Sequence, residues 1–524
     1  MRKLCPFFFL ILISVFANAS TFSSKSFHSI VKQEIKHDIS LPFDMLHDRP
    51  LRRGFFEIIP LFHPLLTKSL IQSQIDTTLR NSLIKKMMIP VNFFQGIGLG
   101  LGSFIPSHFP PDTNGRPGIS QYVQWSGSYI GIFNKTTGQI ATGYPKLATT
   151  LFTGFGGICE NRPNGANMGD GIILYDRFAN RWVITYFVFD PPSNTNLQCV
   201  AVSVNSNAQG SYYRYAYSFN SIPDYTKIGM WPDAYYMTTN LPNGPQVCAF
   251  DRKSMLQGLA ASMQCFQLDY SAGVLLPVDL DGSRLPPSGT PGYFMSAFNF
   301  SSSSRLALFR FHVDFTNPNN STLSDRNIFV ANFTNACQDT GDNCATQPNT
   351  TVTLEVLGDR LMHRLAYQQF QDYGALVATH TIQANNSTGI RWYEIRIPNG
   401  STVPILYQQN TFSPDDKYRF MGSIAMDYLG NIAVGYSISS STMYPSIAFA
   451  ARTVTDPLNT LSFEQTILTG TGSQTALQRW GDYTSMATDP IDNCTFWYTN
   501  QYLTAQSSGA FYSTAIANFK LPGC

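Results

Sequence analysis

The stretch SIAMDYLGNIAVGYSIS, residues 423–439, contains the pattern that decides the fold. Two short apolar runs flank a polar turn in which Asp427 is followed by Gly430. Such runs, bounded by Gly, Asn and Asp, predict a β-hairpin. An aspartate accepts a hydrogen bond from the backbone two residues later and thereby fixes a turn. We therefore interpret Asp427, and Asp176 and Asp489 in similar turns, as structural residues.

Six further hairpins of this kind occur elsewhere in the chain. They occupy residues 121–139, 171–189, 233–256, 293–315, 374–397 and 483–503. Recurrence at about 60 residues predicts a repeat architecture. All-β units repeated radially form a β-propeller, which leaves only short protected edges. We predict an all-β fold over residues 104–524, a propeller of about six to eight blades with seven favoured. Another all-β fold is the alternative.

The N-terminal region has a different character from these hairpins. Residues 1–19 combine a basic start, an apolar run and a small-x-small ending, which predicts a secretory signal peptide. Residues 20–103 form an extension that ends in the Gly-rich linker GIGLGLGS. Its residues 66–88 carry apolar side chains at helical spacing, so we predict a partly helical extension. That helix serves either as an amphipathic contact for a membrane or partner or, as we favour, as a pro-segment or packing arm.

Composition excludes two classes of partner and predicts the compartment. The net charge is +2 and 13% of residues are charged, which leaves no basic footprint for nucleic acid. After the signal peptide no run reaches about 18 apolar residues, so we predict no membrane span. With the signal peptide, this predicts a secreted or periplasmic protein.

Cysteine usage predicts disulfides. Cys5 lies in the signal peptide, and the remaining eight cysteines form an even set in an exported chain. Spacing does not determine connectivity, and we predict bonds between sequence neighbours: Cys159–Cys199, Cys248–Cys265, Cys337–Cys344 and Cys494–Cys524.

A dense polar set between residues 359 and 482 is the candidate site. Arginines from separate blades that meet at the propeller mouth would clamp a carboxylate or sulfate group. A glycosidase would need two carboxylates, for which we select Glu394 and Asp482 as candidate catalytic residues. Alternatively, the arginines pair with carboxylates or stack on Trp392 and Trp480 and so tie the blades together. The candidate ligand-binding residues are Arg364, Arg391, Arg419, Arg479, Trp480 and Tyr483.

Two segments resemble calcium loops. Asp112 and Asn114 in PPDTNGRPG, and Asp279 and Asp281 in PVDLDGS, place oxygen ligands at alternate positions. Neither has the downstream Glu of an EF-hand. We favour plain turns over structural calcium and predict no other cofactor.

Several long motifs occur together and in order. They are PPDTNGRPGISQYVQ, LYDRFANRW, GMWPDAYYM, GDRLMHRLAYQQF, MGSIAMDYLGNIAVGYSISSSTMYPSI and RWGDYTSMATDPIDNCTFWYTNQY. In this set the chain resembles a family of secreted bacterial proteins with a propeller-like repeat region, over residues 105–524. The resemblance implies export and an all-β repeat body, and it carries no established activity. His363 stands where relatives have Tyr, which speaks against His363 as an essential catalyst.

Three functional hypotheses follow. We favour a secreted propeller that binds an extracellular glycan or protein ligand without catalysis, because aromatic residues are abundant and no catalytic motif is present: there is no G-x-S-x-G, H-E-x-x-H or G-x-x-x-x-G-K-[ST]. The alternatives are a glycan-active hydrolase or lyase and a structural component of the envelope or surface. The sequence leaves the oligomeric state open.

Overall fold

The computed structural model describes residues 27–48, 57–58, 89–161, 167–299, 304–507 and 511–524. The predicted signal peptide and the predicted helical stretch at 66–88 lie outside these ranges. The described residues form a mostly β structure, which confirms the predicted fold class.

Seven antiparallel meanders follow one another along the described residues, and we number them in chain order. Meander 1 comprises Asn114–Pro117, Gln121–Ser126, Tyr129–Asn134 and Lys146–Leu147. Meander 2 comprises Asn167–Asp176, Arg181–Asp190, Thr195–Ser203 and Tyr212–Phe219. Meander 3 comprises Asp224–Met230, Ala234–Leu241, Gly244–Asp251 and Met263–Gln267. Meanders 4 and 5 comprise Leu276–Asp281, Gly292–Asn299, Ser304–His312, Thr322–Val330; and Leu365–Gln369, Tyr373–Ala384, Ser387–Pro398, Ile405–Phe412. Meanders 6 and 7 comprise Tyr418–Met426, Ile432–Ser440, Met443–Arg452, Phe463–Leu468; and Ser485–Thr488, Phe496–Tyr502, Ser513–Phe519, Val91–Gln95.

The remaining elements are short. Two small sheets pair Glu57–Ile58 with His108–Phe109 and Asn343–Ala345 with Leu354–Glu355. Within the described ranges the helices are one short α-helix, Arg252–Met255, and 3-10 turns at Phe43–Met45, Ala148–Phe152, Pro191–Ser193, Tyr270–Ala272, Pro318–Asn320 and Gln338–Thr340.

The first strands of the meanders form a ring. Each contacts the first strand of the next meander, and the first strand of meander 7 contacts that of meander 1. The strands Leu276–Asp281 and Leu365–Gln369 pair in parallel, so meanders 4 and 5 share one sheet. This propeller-like arrangement places the first strands around a common axis and the fourth strands at the periphery.

Stacking of neighbouring sheets explains why many strands read as apolar runs rather than alternating ones. In Arg181–Asp190, RWVITYFVFD, every residue after the first is buried. A strand that is covered on both faces needs apolar or hydrogen-bonded residues at every position.

The described part of the N-terminal extension adds edge strands and contains no helix beyond one 3-10 turn. Ile30–Lys32 pairs with the last strand of meander 3, and Lys36–Ile39 pairs with that of meander 2. Val91–Gln95 pairs with Ser513–Phe519 and completes meander 7. The predicted partly helical character is therefore not supported, because these segments are ordered as strands by sheet edges distant in sequence.

The four predicted disulfide pairs are confirmed. Their Cα–Cα distances are 6.0, 4.1, 5.8 and 6.0 Å in chain order. The Asp turns are confirmed as well: Oδ1 of Asp176, Asp427 and Asp489 accepts backbone N–H groups two residues later at 3.2, 2.9 and 2.9 Å. No helix in the described ranges is long and apolar enough to cross a membrane.

We expect the disulfides to differ in their contribution to stability because they close loops of different length. Replacing Cys159 and Cys199 by serine opens a separation of 40 residues and should lower the free energy of unfolding by about 4 kcal/mol. The same change at Cys337 and Cys344 opens a separation of 7 residues and should cost about 2 kcal/mol. Urea denaturation of both double variants measures the difference, and a larger loss for the shorter loop would contradict this expectation.

Candidate axial polar site

The ring of first strands surrounds two groups of buried ionisable side chains. The guanidinium cluster consists of Arg116, Arg177, Arg364, Asp279 and Asp281. The carboxylate cluster consists of Asp112, Asp170, Asp482, Glu355, Arg479 and Lys227. Most of these residues lie on the first strands or in the segments that lead into them.

Backbone irregularities aim several of these side chains. The first strands of meanders 2, 3 and 6 each shift register, between Gly169 and Ile172, Asp224 and Lys227, and Phe420 and Ser423. Asp170, Tyr225 and Met421 lie within these shifts and have φ of 51°, 54° and 49°. A bulge redirects a side chain, and positive φ is uncommon outside glycine.

The guanidinium cluster is a charge-paired clamp. Arg364 donates from Nε to Asp279 Oδ2 at 2.9 Å and from Nη1 to Asp281 Oδ2 at 2.5 Å. Arg116 also donates to Asp279 Oδ2 and donates to Ser485 Oγ at 2.9 Å. These contacts join meanders 1, 4, 5 and 7.

Arg177, in the first turn of meander 2, completes this cluster. Its Nη2 lies 3.5 Å from Asp281 Oδ1 and donates to Thr488 O at 2.9 Å. Burial favours the neutral form of Asp279, but the charges of Arg116 and Arg364 outweigh it and lower the pKa of Asp279 to about 2. Asp279 is therefore ionised at neutral pH.

The carboxylate cluster is organised by the segment RWGDY that leads into meander 7. Arg479 bonds Asp482 with two nitrogens, at 2.8 and 3.1 Å, and reaches Glu355 Oε2 at 2.5 Å. The Asp482 N–H donates to Asp112 Oδ1 at 2.9 Å. The Tyr483 hydroxyl donates to Thr226 O at 3.0 Å, which fastens the segment to meander 3.

Crowding of carboxylates shifts their protonation. Burial, together with the charges of Asp482 and Asp170, raises the pKa of Asp112 well above its usual range. Burial and the charge of Asp224 raise the pKa of Asp170 to about 7. Burial also raises the pKa of Glu355 to about 7, although Arg479 opposes the shift. The cluster therefore holds protonated carboxyl groups near neutral pH.

Two buried basic side chains, Lys227 of the carboxylate cluster and His363, have lowered pKa values. The Lys227 ammonium nitrogen is 2.7 Å from the centre of the Tyr225 ring and 3.9 Å from that of Tyr483. Burial lowers the pKa of Lys227 well below its usual value. Burial, followed by the charges of Arg116 and Lys227, also lowers the pKa of His363. Both side chains are therefore held toward their neutral forms.

The four candidate arginines do not converge in one cavity. Arg364 and Arg479 lie in different clusters. Arg391 donates to Thr411 Oγ1 at 2.7 Å within meander 5. Arg419 bonds both oxygens of Glu464, at 2.7 and 2.8 Å, within meander 6. Arg364, Arg419 and Arg479 form ion pairs with carboxylates, which is the alternative interpretation of the sequence. Arg391 forms no such pair among the contacts described above.

The two candidate catalytic carboxylates also bond different partners. Glu394 accepts from Arg396 Nε at 2.6 Å and from Gln408 Nε2 at 2.5 Å, within meander 5. Asp482 belongs to the carboxylate cluster. Glu394 is 1% exposed and Asp482 2% exposed. No contact of either residue joins it to the other.

The candidate aromatic ligand contacts are buried. Trp480 donates from Nε1 to Ser437 Oγ at 3.1 Å, and neither Trp480 nor Tyr483 has exposed surface. The Trp480 ring packs edge-on against Phe420. These rings stabilise the centre of the fold and offer no face to a ligand outside it.

The candidate calcium ligands do not fit a calcium ion as arranged. The oxygens of Asp279 and Asp281 face guanidinium groups, whose positive charge repels a cation. Asn114 Oδ1 accepts from Ile173 N at 3.0 Å, and its Nδ2 donates to Gly171 O at 2.6 Å, so its amide is committed to meander 2. Among the described residues one compact group of ligand atoms exists, from Asp427, Cys494 and Cys524, and there the cysteines bond to each other.

Sequence reasoning missed Arg116, Arg177, Asp170, Lys227 and Glu355. Arg116 and Arg177 lie in the motifs PPDTNGRPG and LYDRFANRW, where they read as turn residues. The available signal was positional: Arg116 lies on the first strand of meander 1, and Arg177 directly follows that of meander 2. Only the ring shows that such positions meet.

Sequence comparison finds no matching protein family and no matching curated protein, so membership of the resembled family stays a prediction. Three solved structures show distant similarity. The WD40 domain of SCAP from fission yeast has 9% identity and a TM-score of 0.33 over 76% of this chain and 82% of its own. An endo-arabinase from Bacteroides thetaiotaomicron has 11% identity and a TM-score of 0.26, over 55% of this chain and 95% of its own. A protein of unknown function from Dyadobacter fermentans has 8% identity and a TM-score of 0.23, over 68% of this chain and 100% of its own. At these TM-scores the fold assignment rests on strand pairing alone.

We expect Arg364→Met to destabilise the protein strongly. It leaves Asp279 and Asp281 without their shared guanidinium, and removing one partner of a buried ion pair costs roughly 3–5 kcal/mol. Lys417→Ala is the matched control, because Lys417 and Asp415 are each 40% exposed and such pairs contribute about 1 kcal/mol or less. Chemical denaturation measures both, and equal losses would contradict the clamp.

We expect Asp170 to weaken the fold as pH rises. An unfolded aspartate has a pKa of about 3.9, whereas that of Asp170 is raised to about 7. The folded state holds the extra proton between these values, so this contribution is full below about pH 4 and is lost as pH rises through about 7. Asp170→Asn should therefore lose less thermal stability than the wild type between about pH 4.5 and 7.5. Parallel melting-temperature profiles would refute this assignment.

Proposed function

We propose that this chain is a secreted seven-bladed β-propeller that binds an extracellular glycan or protein ligand without catalysing a reaction. The observation that carries the proposal is the state of Asp482 and Glu394. Both are buried, bonded to neighbouring side chains and located in different parts of the ring. A pair of carboxylates acting on a glycosidic bond needs access to substrate and a shared position across that bond.

Export is supported by the disulfides. Four bonded pairs stabilise proteins in oxidising compartments and are rare where thiols are kept reduced. The low net charge also suits a ligand other than nucleic acid.

Surface recognition would use residues other than tryptophan. All six tryptophans are buried. The exposed aromatic side chains among the described residues are Phe93, Phe329, Tyr270, Tyr407 and Tyr428, with exposed fractions of 51, 66, 50, 37 and 48%. Exposed aromatic rings provide large contact area to a partner at low cost in conformational entropy.

A glycan-active enzyme is the second candidate. It is favoured by Asp170 and Glu355, whose pKa values of about 7 suit proton transfer at neutral pH. Perturbed values also arise in structural ion-pair networks, and these two carboxyl groups lie inside one.

We expect Asp482→Asn and Glu394→Gln to lower the thermal midpoint and to leave ligand affinity within about twofold, because both residues act inside the fold. A broad glycan array and a pull-down from conditioned medium identify the ligand of the wild type, and titration compares the variants. Hydrolysis or elimination of an array-positive glycan by the wild type, abolished in Asp482→Asn, would establish the enzyme instead. Absence of any ligand for folded wild-type protein would remove the binding proposal.

A further inference from the structure

A cavity of about 150 Å³ opens between meanders 3 and 4, far in sequence from the RWGDY segment. One wall is the turn Tyr270–Ala272, which follows the last strand of meander 3. The other wall is one face of meander 4. The side chains that matter to its chemistry are those of Phe27, Asp269, Phe298, Arg305, Asp325 and Asn327. We name it the meander 3–4 pocket.

Strand register places the pocket side chains on one face of meander 4. Arg305 lies opposite both Phe298 and Phe329, and Asn327 lies opposite Ala307. Directly opposed residues and those two positions along share a face of a sheet. Because Phe329 is paired with Arg305, it stands on this same face, next to a residue that lines the pocket. Its side chain is 66% exposed.

The pocket wall is held in place. Ser296 Oγ donates to Ala272 O at 2.7 Å, which fixes the turn against meander 4. Gly273 has φ of 68°, and a Cβ there would lie 2.9 Å from Cζ of Phe298. Glycine therefore allows the turn to pass close to the aromatic ring. A pre-formed wall reduces the ordering cost of binding.

Size limits the ligand to one ring. Pockets for drug-sized ligands measure about 300–1,000 Å³, twice this volume or more. A cavity of about 150 Å³ is on the scale that holds one benzene ring, so a peptide or oligosaccharide would have to extend out beyond the pocket. Phe329 lies where a second unit would pass.

The chemistry of the lining favours a neutral, hydroxyl-rich ring. Leu268, Ala307 and Phe309 form an apolar floor. Above it stand two carboxylates, one amide and one guanidinium, which together donate and accept hydrogen bonds. The two carboxylates disfavour anionic sugars and phosphates. The Arg305 guanidinium, 5.2 Å from the centre of the Phe298 ring, already occupies the place of a cationic ligand.

We propose that the meander 3–4 pocket binds the terminal sugar ring of a neutral glycan, with Asp325 and Asn327 bonding its hydroxyl groups and Phe329 stacking on the next ring. This rests on the proposed binding function and names its site and ligand class. Aromatic faces pack against the C–H side of a sugar ring while polar groups bond its hydroxyls, the division of labour typical of small-molecule sites.

The test uses the mature, disulfide-bonded protein. The probes are the methyl glycosides of glucose, galactose, mannose and arabinose, with glucuronic acid and choline as charged comparisons, and an array of neutral oligosaccharides. Saturation-transfer NMR and titration measure binding. We expect at least one neutral probe to bind, and Asp325→Ala to weaken it about tenfold or more, as loss of a charged hydrogen bond predicts.

Two further variants separate the pocket from the fold. Ala307→Leu fills the floor without removing a polar group and should also abolish binding. Phe93→Ala removes another exposed ring, on meander 7, and should leave affinity unchanged. Thermal midpoints confirm that each variant is folded.

The outcomes are distinguishable. Neutral-glycan binding that survives both Asp325→Ala and Ala307→Leu overturns the pocket and leaves the proposed function standing. Binding of glucuronic acid or choline in place of neutral probes overturns the ligand class. A ligand that is only a protein also overturns the pocket, whereas absence of any ligand overturns the proposed function itself.

Discussion

The structure depends on Arg364 and the two aspartates that it neutralises at the axis. Asp279 and Asp281 lie on the first strand of meander 4, and Arg364 directly precedes the first strand of meander 5. These two strands pair in parallel. Isolated buried charges are unfavourable, so each group requires the others in place. Because Arg116 and Ser485 bond into the same cluster, the requirement extends to meanders 1 and 7. The ion pairs therefore fix how four meanders meet around the axis.

The carboxylate cluster has a different physical character. Its carboxyl groups outnumber its basic side chains, and burial raises the pKa values of Asp112, Asp170 and Glu355. Raised carboxyl pKa values, the lowered pKa of Lys227 and positive φ at Asp170 and Tyr225 resemble the features of catalytic sites. Here they accompany nearly complete burial, so we assign the axis to stability, and the proposed recognition would use the periphery. The meander 3–4 pocket supplies there what the axis lacks, an open surface with both polar and aromatic groups.

Local features were predictable and distant pairings were not. The hairpin at 423–439 and the turn at Asp489 follow from residues adjacent in sequence, and the disulfides join cysteines that are neighbours among the cysteines. Asp482 and Arg479 were selected because they belong to the dense polar set between residues 359 and 482. Glu394 looked equivalent by composition, but its strand lies second from the periphery of meander 5. The strand Ile30–Lys32 was unpredictable for a similar reason, since three residues form a strand only beside an existing edge.

The sequence by itself determined the all-β class, the order of hairpins and the aspartate turns, because each depends on short-range periodicity or spacing. The pairing of neighbouring cysteines was a prediction that the tertiary structure decided. Tertiary structure alone decided which side chains face the axis. The bonds of Arg364 to Asp281 and Asp279 span 83 and 85 residues, and the bulges at Asp170 and Tyr225 reverse the side to which a residue points. A one-residue shift in register exchanges the two faces of a strand. Charge neutralisation and register across the ring therefore set the site, and neither is encoded in any single segment.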